Sequence, residues 1–405
     1  VNGSIFDWQV NGGTQVFGDS SNVIRIDWGV TGNGEVRLQE RSYDFVNNKA
    51  CLSDTVILPI TINPRPTADE ILGTMELCQY EDTFIYTVNG FANSTFEWAI
   101  NGDTSNINGQ GSNTISIFWD VAGSFSVSAL ETTEFNCPGS IIDTIVLVNP
   151  KPLTSSIIGP KVICPENSDN HVYSVSNNPT STYEWFVFGE NSFTGQGTNS
   201  ITVNWETSLP SGRVEVLEIS DKGCAGDTQV LNIEIDRLAI DMKVVSVGSP
   251  DDRMHVNWSL LEIADPALFT IEKKAGINPW QEIATISGTN LSYLEQPINT
   301  DIEPFTYRIK STNKCGTDIF SEEHTNVNLQ GFQNENFDIN VSFTDYLGWD
   351  NGVEFYDLYE RINNGAYIPH SLNLTPGAGT LITNNPDQFK KCYRVRAVEL
   401  NGAGT

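Results

Sequence analysis

The chain has 405 residues, and its 51 acidic residues outnumber its 22 basic ones, so the formal net charge is −29. Such a charge repels phosphate backbones and anionic lipid headgroups, so we expect no nucleic acid as a partner. Nine Trp, 12 Tyr and 20 Phe supply enough core material to exclude a disordered acidic chain. No apolar run approaches the ~18 residues of a membrane span. We expect no membrane insertion, and we expect any export signal to lie outside this sequence.

Three tandem repeats occupy the first part of the chain. Each contains an aromatic–acid–Trp triplet, a glycine-rich loop and an alternating strand that ends in a second Trp. The triplets end at Trp8, Trp98 and Trp185, the alternating strands end at Trp28, Trp119 and Trp205, and a cysteine closes each repeat at Cys51, Cys137 and Cys224. Because these positions recur every 86 to 91 residues, they indicate copies of one module.

Each copy is predicted to be a β-sandwich. Period-two alternation and turn clusters every 8–12 residues are typical of that fold. Proline-containing joints at 63–66 and 149–152 predict modules over residues 1–66, 67–152 and 153–236. Short proline joints are stiff, so we expect an elongated rod. The first module is expected to lack its opening strands.

The remaining residues contain a second kind of repeat. The segment Tyr307-Arg308-Ile309-Lys310 recurs 86 residues later as Tyr393-Arg394-Val395-Arg396. The pattern predicts two fibronectin-III-like sandwiches, over residues 237–331 and 332–405, with Trp258 as a core anchor. The second of them is expected to lack its final strand. The predicted fold class is therefore an all-β tandem array.

Two aromatic residues of these last modules are candidate contact residues. Trp280 and Tyr367 occupy equivalent positions after a turn, 87 residues apart. They would form an aromatic platform for a glycan or a partner protein. The alternative is a core position, which is the commoner use of an aromatic residue repeated in two sandwiches.

The cysteines predict the compartment. Cys78 and Cys137 lie 59 residues apart and Cys164 and Cys224 lie 60 apart, at matching places in their modules. We therefore predict structural disulfides Cys78–Cys137 and Cys164–Cys224. Cys51 and Cys392 would then pair outside this sequence, and Cys315 has no evident mate. Disulfides within modules indicate an oxidising compartment outside the cytoplasm.

No catalytic, cofactor or metal site is predicted. The four histidines are dispersed, and no Cys-x-x-Cys pair, Gly-x-Ser-x-Gly elbow or phosphate loop occurs. The triplet acids Asp7, Glu97 and Glu184 are predicted to face water between inward aromatic residues. A structural Ca²⁺ held by an acidic loop such as Asp251-Asp252 is the one ion considered.

The order of these motifs resembles a known family. The unit Cys…aromatic–acid–Trp…Gly-x-Gly…Ile-x-Val-x-Trp…Gly-Cys resembles the PKD-like modules of large Bacteroidota surface proteins. The stretches 307–325, 349–359 and 392–397 look like the fibronectin-III-like module of the same proteins, the gliding-motility-associated C-terminal-domain family. The loop Phe17-Gly18-Asp19 departs from the Gly-x-Gly pattern.

The resemblance implies a location and partners. Members of the family are exported by the type IX secretion system, and a C-terminal domain absent from this sequence would contact the outer-membrane translocon. The chain is expected on the outer face of the outer membrane or outside the cell, with surface glycans or other surface proteins as further partners.

Two functions remain open at this stage. The first is a non-enzymatic stalk or adhesin-type passenger, linked to gliding motility. The alternative is the accessory stalk of a large secreted polysaccharide-degrading enzyme, whose catalytic domain would precede Val1. An unbroken array of β modules upstream would favour the first, and a domain with a deep acidic pocket would favour the second.

Overall fold

A computed structural model of the chain describes residues 3–44, 46, 49–66, 68–262, 264–335, 338–376, 380–384 and 391–401. These residues form strands in ten sheets and contain no helix, which confirms the predicted all-β sandwich array. By their contacts, residues 1–154, 179–182 and 218–227 form one compact unit (unit 1), and residues 155–178, 183–217 and 228–405 form a second (unit 2). The predicted module ends at residues 1, 67 and 405 lie outside the described residues.

The first module lies in unit 1. Its strands are β1 (Ile5–Asn11), β2 (Gly13–Phe17), β3 (Arg25–Trp28), β4 (Gly32–Asp44), β5 (Lys49–Leu52) and β6 (Val56–Ile62). The long strand β4 pairs with β1, β5 and β6, while β2 and β3 form a second sheet. The triplet acid Asp7 is exposed, as predicted, and pairs with Arg41 at 2.7 Å.

The second module also lies in unit 1 and is a two-sheet sandwich. Its strands are β7 (Ile71–Leu72), β8 (Glu76–Cys78), β9 (Thr83–Val88), β10 (Thr95–Ile100), β11 (Thr114–Phe118), β12 (Gly123–Thr132) and β13 (Pro138–Asn149). The strand orders are β10-β12-β13-β8 and β11-β9-β7. Alternate residues of β11 face the core as predicted: Ile115 and Ile117 are buried, and Phe118 is exposed. The short strand β8 is parallel to the end of β13, where Cys78 lies opposite Asn149.

The third module repeats this arrangement. Its strands are β14 (Val162–Ile163), β15 (His171–Ser174), β16 (Thr182–Phe188), β17 (Glu190–Thr194), β18 (Ser200–Trp205), β19 (Ser211–Ile219) and β20 (Gln229–Ile235). The orders are β14-β20-β19-β16 and β15-β18-β17, and β14 is again parallel to the end of the last strand. The core packs around Trp185, Trp205 and Tyr173, where the Trp205 indole donates a hydrogen bond to the Tyr173 hydroxyl at 3.1 Å.

The Gly-Gln-Gly loops have a structural role. The Gln110 side chain accepts from the backbone nitrogen of Trp98 at 2.7 Å and donates to its carbonyl at 2.9 Å, as a neighbouring strand would. Gln196 makes the same two bonds to Trp185, at 2.8 and 3.2 Å. The flanking glycines supply the left-handed turns, with φ of +98° at Gly109. Gly18 of the departing first loop keeps this conformation, with φ of +97°.

The fourth module has the sheet composition of a fibronectin-III sandwich. Its strands are β21 (Ile240–Val247), β22 (Met254–Leu260), β23 (Leu268–Ala275), β24 (Gln281–Ser287), β25 (Ser292–Glu295), β26 (Phe305–Thr312), β27 (Asp318–Phe320) and β28 (His324–Thr325). One sheet has the order β21-β22-β25, and the other has the order β24-β23-β26-β27, with β28 also on β26. Trp258 is buried in the core against Phe269, which confirms it as the anchor.

The fifth module follows the same plan with fewer strands among the described residues. They are β29 (Leu329–Gln333), β30 (Asp338–Phe343), β31 (Val353–Ile362), β32 (Ile368–Leu374), β33 (Thr380–Asn384) and β34 (Lys391–Glu399), in the orders β29-β30-β33 and β32-β31-β34. The boundary predicted after residue 331 falls inside β29. Because β29 pairs with β30, this strand belongs to the fifth module.

A buried polar cluster joins the fourth and fifth modules within unit 2. The Tyr346 hydroxyl accepts a hydrogen bond from the backbone nitrogen of Val245 at 3.0 Å and lies 2.8 Å from His324 Nδ1. The Trp349 indole donates to the carbonyl of Lys243 at 2.8 Å. A tyrosine hydroxyl that accepts one bond still donates another, which fits a neutral His324 with Nδ1 as the acceptor.

This cluster makes the stability of unit 2 dependent on pH. Burial lowers the pKa of His324 to about 4 from 6.5, against the opposing fields of Asp241 and Asp350. Below pH 6.5 the unfolded chain therefore takes up a proton that the folded chain refuses, so stability is lost as pH falls from 6.5 to about 4. The loss is at most about 3 kcal/mol.

We expect His324→Asn to flatten the pH dependence of unfolding over this window. The measurement is denaturant unfolding at several pH values for the unaltered chain, for His324→Asn and for His255→Asn, which alters an exposed histidine of β22. Carboxylates titrate equally in all three, so only the difference between them reports on His324. Equal slopes for His324→Asn and the unaltered chain would contradict the prediction.

Candidate functional site

Two cystines join cysteines of successive repeats. Cys78 of the second repeat is bonded to Cys224 of the third within unit 1, to which residues 218–227 belong. Cys164 of the third repeat is bonded to Cys315 of the fourth within unit 2. The predicted pairings Cys78–Cys137 and Cys164–Cys224 are therefore wrong, although three of the four cysteines named are bridged to other partners.

The register of the last strand explains why a bridge within one module cannot form. Cys78 lies beside Asn149, at the end of β13, whereas Cys137 directly precedes the first residue of that strand. Twelve residues of extended strand therefore separate the two cysteines, a distance of about 40 Å. A disulfide requires Cα atoms within about 7 Å. Cys164 and Cys224 lie at opposite ends of β20 in the same way.

Similar polar contacts surround both cystines. Beside Cys78–Cys224, Lys222 Nζ lies 3.9 Å from a Glu76 oxygen, and Lys151 pairs with Asp227 at 2.6 Å. Beside Cys164–Cys315, the Lys314 ammonium pairs with Glu234, which raises the pKa of Lys314. The backbone nitrogen of Lys314 donates to the buried Asp236 carboxylate at 2.6 Å. Each joint thus combines a covalent bond with charge-assisted hydrogen bonds.

Three cysteines remain as thiols in the structure: Cys51, Cys137 and Cys392. The turn that carries Cys137 is built like that of Cys224. In both, the backbone nitrogen of the cysteine donates to a hydroxyl four residues earlier, at Thr133 and at Ser220. The repeat therefore preserves the geometry of this turn whether or not its cysteine is bridged.

Trp280 lies on the sheet surface of the fourth module and not in its core. The indole is half-buried, with the Lys274 ammonium 4.3 Å and the Arg308 guanidinium 4.2 Å from a ring centroid. Arg308 also pairs with Glu272 at 2.6 Å. The alternative of a core position is thus not supported for Trp280, which is absent from the buried cluster around Trp258.

Tyr367 has equivalent neighbours in the fifth module. The guanidinium groups of Arg361 and Arg394 lie 4.8 and 4.4 Å from its ring centroid. Cations therefore lie over both candidate aromatic rings, so neither ring is a bare platform for a sugar. The structure does not bring Trp280 and Tyr367 into one site. The glycan or partner role of the two residues stays a prediction.

Sequence reasoning missed the arginines. The recurrence of Tyr-Arg-Ile/Val-Lys/Arg at an offset of 86, beside an offset of 87 for the aromatic residues, was a signal that Arg308 and Arg394 accompany Trp280 and Tyr367. We used that recurrence only to align the two modules.

A cleft of about 470 Å³ lies beside Tyr367 within unit 2. Residues 244–251 of the fourth module and residues 393–397 of β34 contribute to its lining, together with Trp349, Arg361 and Tyr367. The pKa of Arg361 is raised by a hydrogen bond to the Cys392 sulfur, by the Tyr367 ring and by the charge of Asp251. This volume is within the ~300–1,000 Å³ of ordinary ligand pockets.

The cations of this cleft differ in their partners. Arg396 pairs with Asp357 at 2.6 Å. Among the residues that the structure describes, neither Arg361 nor Arg394 has a carboxylate at ion-pair distance. Tyr359 lies opposite Arg394 in the strand register, where the fourth module has Glu272 opposite Arg308. In a chain with a net charge of −29, two arginines without an acidic partner mark a local anionic binding surface.

In the described part of the chain, no three or more His, Cys, Asp or Glu side chains come together as a metal site would need. The Ca²⁺ considered above stays a prediction. Nor do these residues include a helix with the length and apolar character to cross a membrane.

Comparison with known proteins adds one family. A model of the PKD-like domain matches residues 64–134 and 150–233, which correspond to the second and third modules. No curated protein matches the chain. The PKD-like match and the two cystines together indicate tandem Ig-like modules of an extracellular or secreted protein.

Solved structures of modular β proteins resemble the chain at low identity. An I-band fragment of titin is 11% identical, with 65% of this chain and 98% of the fragment covered and a TM-score of 0.32. SGBP-B of a Bacteroides ovatus mixed-linkage glucan utilization locus, in complex with a mixed-linkage heptasaccharide, is 12% identical, with 83% and 99% covered and a TM-score of 0.20. Fibronectin(III)-like modules of Clostridium thermocellum CbhA are 12% identical, with 42% and 93% covered and a TM-score of 0.23.

Proposed function

We propose that the chain is a non-enzymatic stalk or adhesin-type part of a cell-surface or secreted protein. The observation that carries this proposal is the pair of cystines that connect successive repeats. A second covalent connection between repeats keeps them associated when one of them unfolds, which suits a segment that bears load between a surface and a binding domain. A soluble enzyme domain has no need of such a connection.

Export through the type IX secretion system is part of the proposal. It is supported by the resemblance of the motifs to gliding-associated Bacteroidota surface proteins and by the PKD-like match over two modules. The high negative charge supports it as well, because like-charged modules repel one another and remain soluble when exposed at high density.

Labelling of intact cells of the source organism with an antibody against this chain tests the proposal. We expect labelling without permeabilisation, its loss when the type IX translocon is disrupted, and cystine-linked peptides from the recovered protein. Labelling that requires permeabilisation, with reduced cysteines at positions 78, 164, 224 and 315, would refute it. A catalytic domain found in the same native polypeptide would favour the accessory-stalk alternative instead.

A further inference from the structure

We propose that the exposed edge of β34 binds an extended acidic segment of a partner protein by adding it as a strand. The inference goes beyond the stalk function, which does not require this edge to be occupied. It rests on a comparison of the fourth and fifth modules, which carry the same cationic residues at equivalent positions. The fourth module satisfies these residues with its own strands, and the fifth does not in the described residues.

In the fourth module, β27 and β28 cover the edge of β26. Lys310 lies opposite Phe320 and Tyr307 opposite His324 in the register. The Ser321 backbone donates to the Ile309 carbonyl at 2.8 Å, and the Ile309 backbone donates to the Ser321 hydroxyl at 2.9 Å. These bonds satisfy the backbone groups that an edge strand exposes.

The covering segment also satisfies the cations of that sheet. The Arg308 guanidinium lies 4.4 Å from the Phe320 ring centroid, and Lys310 lies 3.7 Å from an Asp318 carboxylate oxygen. Lys274 pairs with Glu323 at 2.7 Å. One short segment thus offers an acid, an aromatic ring two residues later and a second acid three residues after that.

The fifth module has the matching cations. Arg361, Arg394 and Arg396 correspond by the repeat to Lys274, Arg308 and Lys310. Strand β34 pairs with β31 on one side, and on its other side no strand of the described residues pairs with it. The cleft of about 470 Å³ lies beside residues 393–397 of this strand.

Charge and geometry together define the ligand. An extended segment with the pattern acid-x-aromatic-x-x-acid would place its aromatic ring against Arg394 and its acids near Arg396 and Arg361. Backbone hydrogen bonds to the strand edge would provide affinity, and the side chains would provide specificity. The segment of this chain that has this pattern and fills the equivalent edge is 317–327, which contains three acids and no Lys or Arg.

The probe is a fluorescein-labelled synthetic peptide with the sequence of residues 317–327, added to the 405-residue chain. Fluorescence anisotropy should show saturable binding, weakened about tenfold or more by Arg394→Gln and by Arg361→Gln, because each removes a charge-assisted contact. Arg213→Gln removes a guanidinium that stacks on Phe188 in the third module, at 4.4 Å, and should leave binding unchanged. A peptide whose Asp318, Phe320 and Glu323 are replaced by Asn, Ala and Gln should not bind.

Hydrogen exchange locates the bound peptide. The backbone amides of β34 should gain protection on binding, while those of β26 should not change. Absence of binding, equal binding by the substituted peptide, or binding indifferent to both arginine substitutions would overturn the proposal. Protection that changes at β26 would show exchange with the chain's own strand instead. If the native polypeptide binds no peptide while the 405-residue chain does, the edge is filled by the protein itself and not by a partner.

Discussion

Replacement of Cys164 and Cys315 by serine is expected to lower the free energy of unfolding of unit 2 by up to about 5 kcal/mol. The cystine closes a loop with a sequence separation of 151 residues, and the entropy that such a cross-link removes from the unfolded chain grows with loop length. The serine variant also loses the covalent support of the contacts around Lys314 and Asp236, because the hydrogen bond between them depends on the position of the Cys315 turn.

Denaturant unfolding followed by tryptophan fluorescence checks this prediction. The control is Cys51→Ser, which replaces an exposed thiol and should leave the unfolding midpoint unchanged. Peptide mapping without reduction should recover Cys78 linked to Cys224 and Cys164 linked to Cys315. Recovery of Cys164 linked to Cys224 would contradict the structure, and a double variant that unfolds with the control would contradict the stabilising role of the cystine.

Trp185→Ala is expected to destabilise the third module by about 3–5 kcal/mol, as is usual for the truncation of a large buried aromatic side chain. The indole is 1% exposed and donates to the Thr198 carbonyl at 2.8 Å, so the substitution leaves both a cavity and an unpaired carbonyl. The matched control is Phe186→Ala, one residue further along the same strand, where the ring is 46% exposed. Thermal unfolding of the two variants should differ by several degrees. Equal midpoints would contradict the assignment of Trp185 to the core.

The repeat pattern predicted the sandwich fold because burial repeats with period two. Ile115 and Ile117 turned inward as the alternation required, and the triplet acids Glu97 and Glu184 turned outward. The paired-sheet arrangement of the last two modules also followed from their strand spacing. The first of these two needed a small correction at β29, since a strand boundary between modules depends on pairing and not on composition.

The disulfides could not be predicted, because sequence separation does not show at which end of a strand each cysteine lies. Cys78 and Cys137 are closer in sequence than Cys78 and Cys224, yet β13 holds the first two apart. The decisive fact was the parallel pairing of the three-residue strand β8 with the end of β13. Such a short strand has no alternation from which to read its pairing partner.

The cationic surface was half visible in the sequence. Equivalence of Trp280 and Tyr367 was correctly read from the offset, but that offset does not say whether an aromatic ring faces the core or a neighbouring arginine. The lack of an acid opposite Arg394 depends on strand register, because Tyr359 replaces the Glu272 of the fourth module. Register is a property of paired strands that the spacing within one strand does not contain.

The two cystines have a mechanical consequence because their loops overlap. Cys164 lies inside the loop closed by Cys78 and Cys224, and Cys224 lies inside the loop closed by Cys164 and Cys315. A force applied across positions 78 and 315 therefore passes through the first cystine, runs backward along the 60 residues from Cys224 to Cys164, and leaves through the second. Even with every module unfolded, this path extends to about 200 Å, whereas the 237 residues of the reduced chain would extend to about 800 Å. The redox state of two bonds thus sets how far the protein can lengthen under tension.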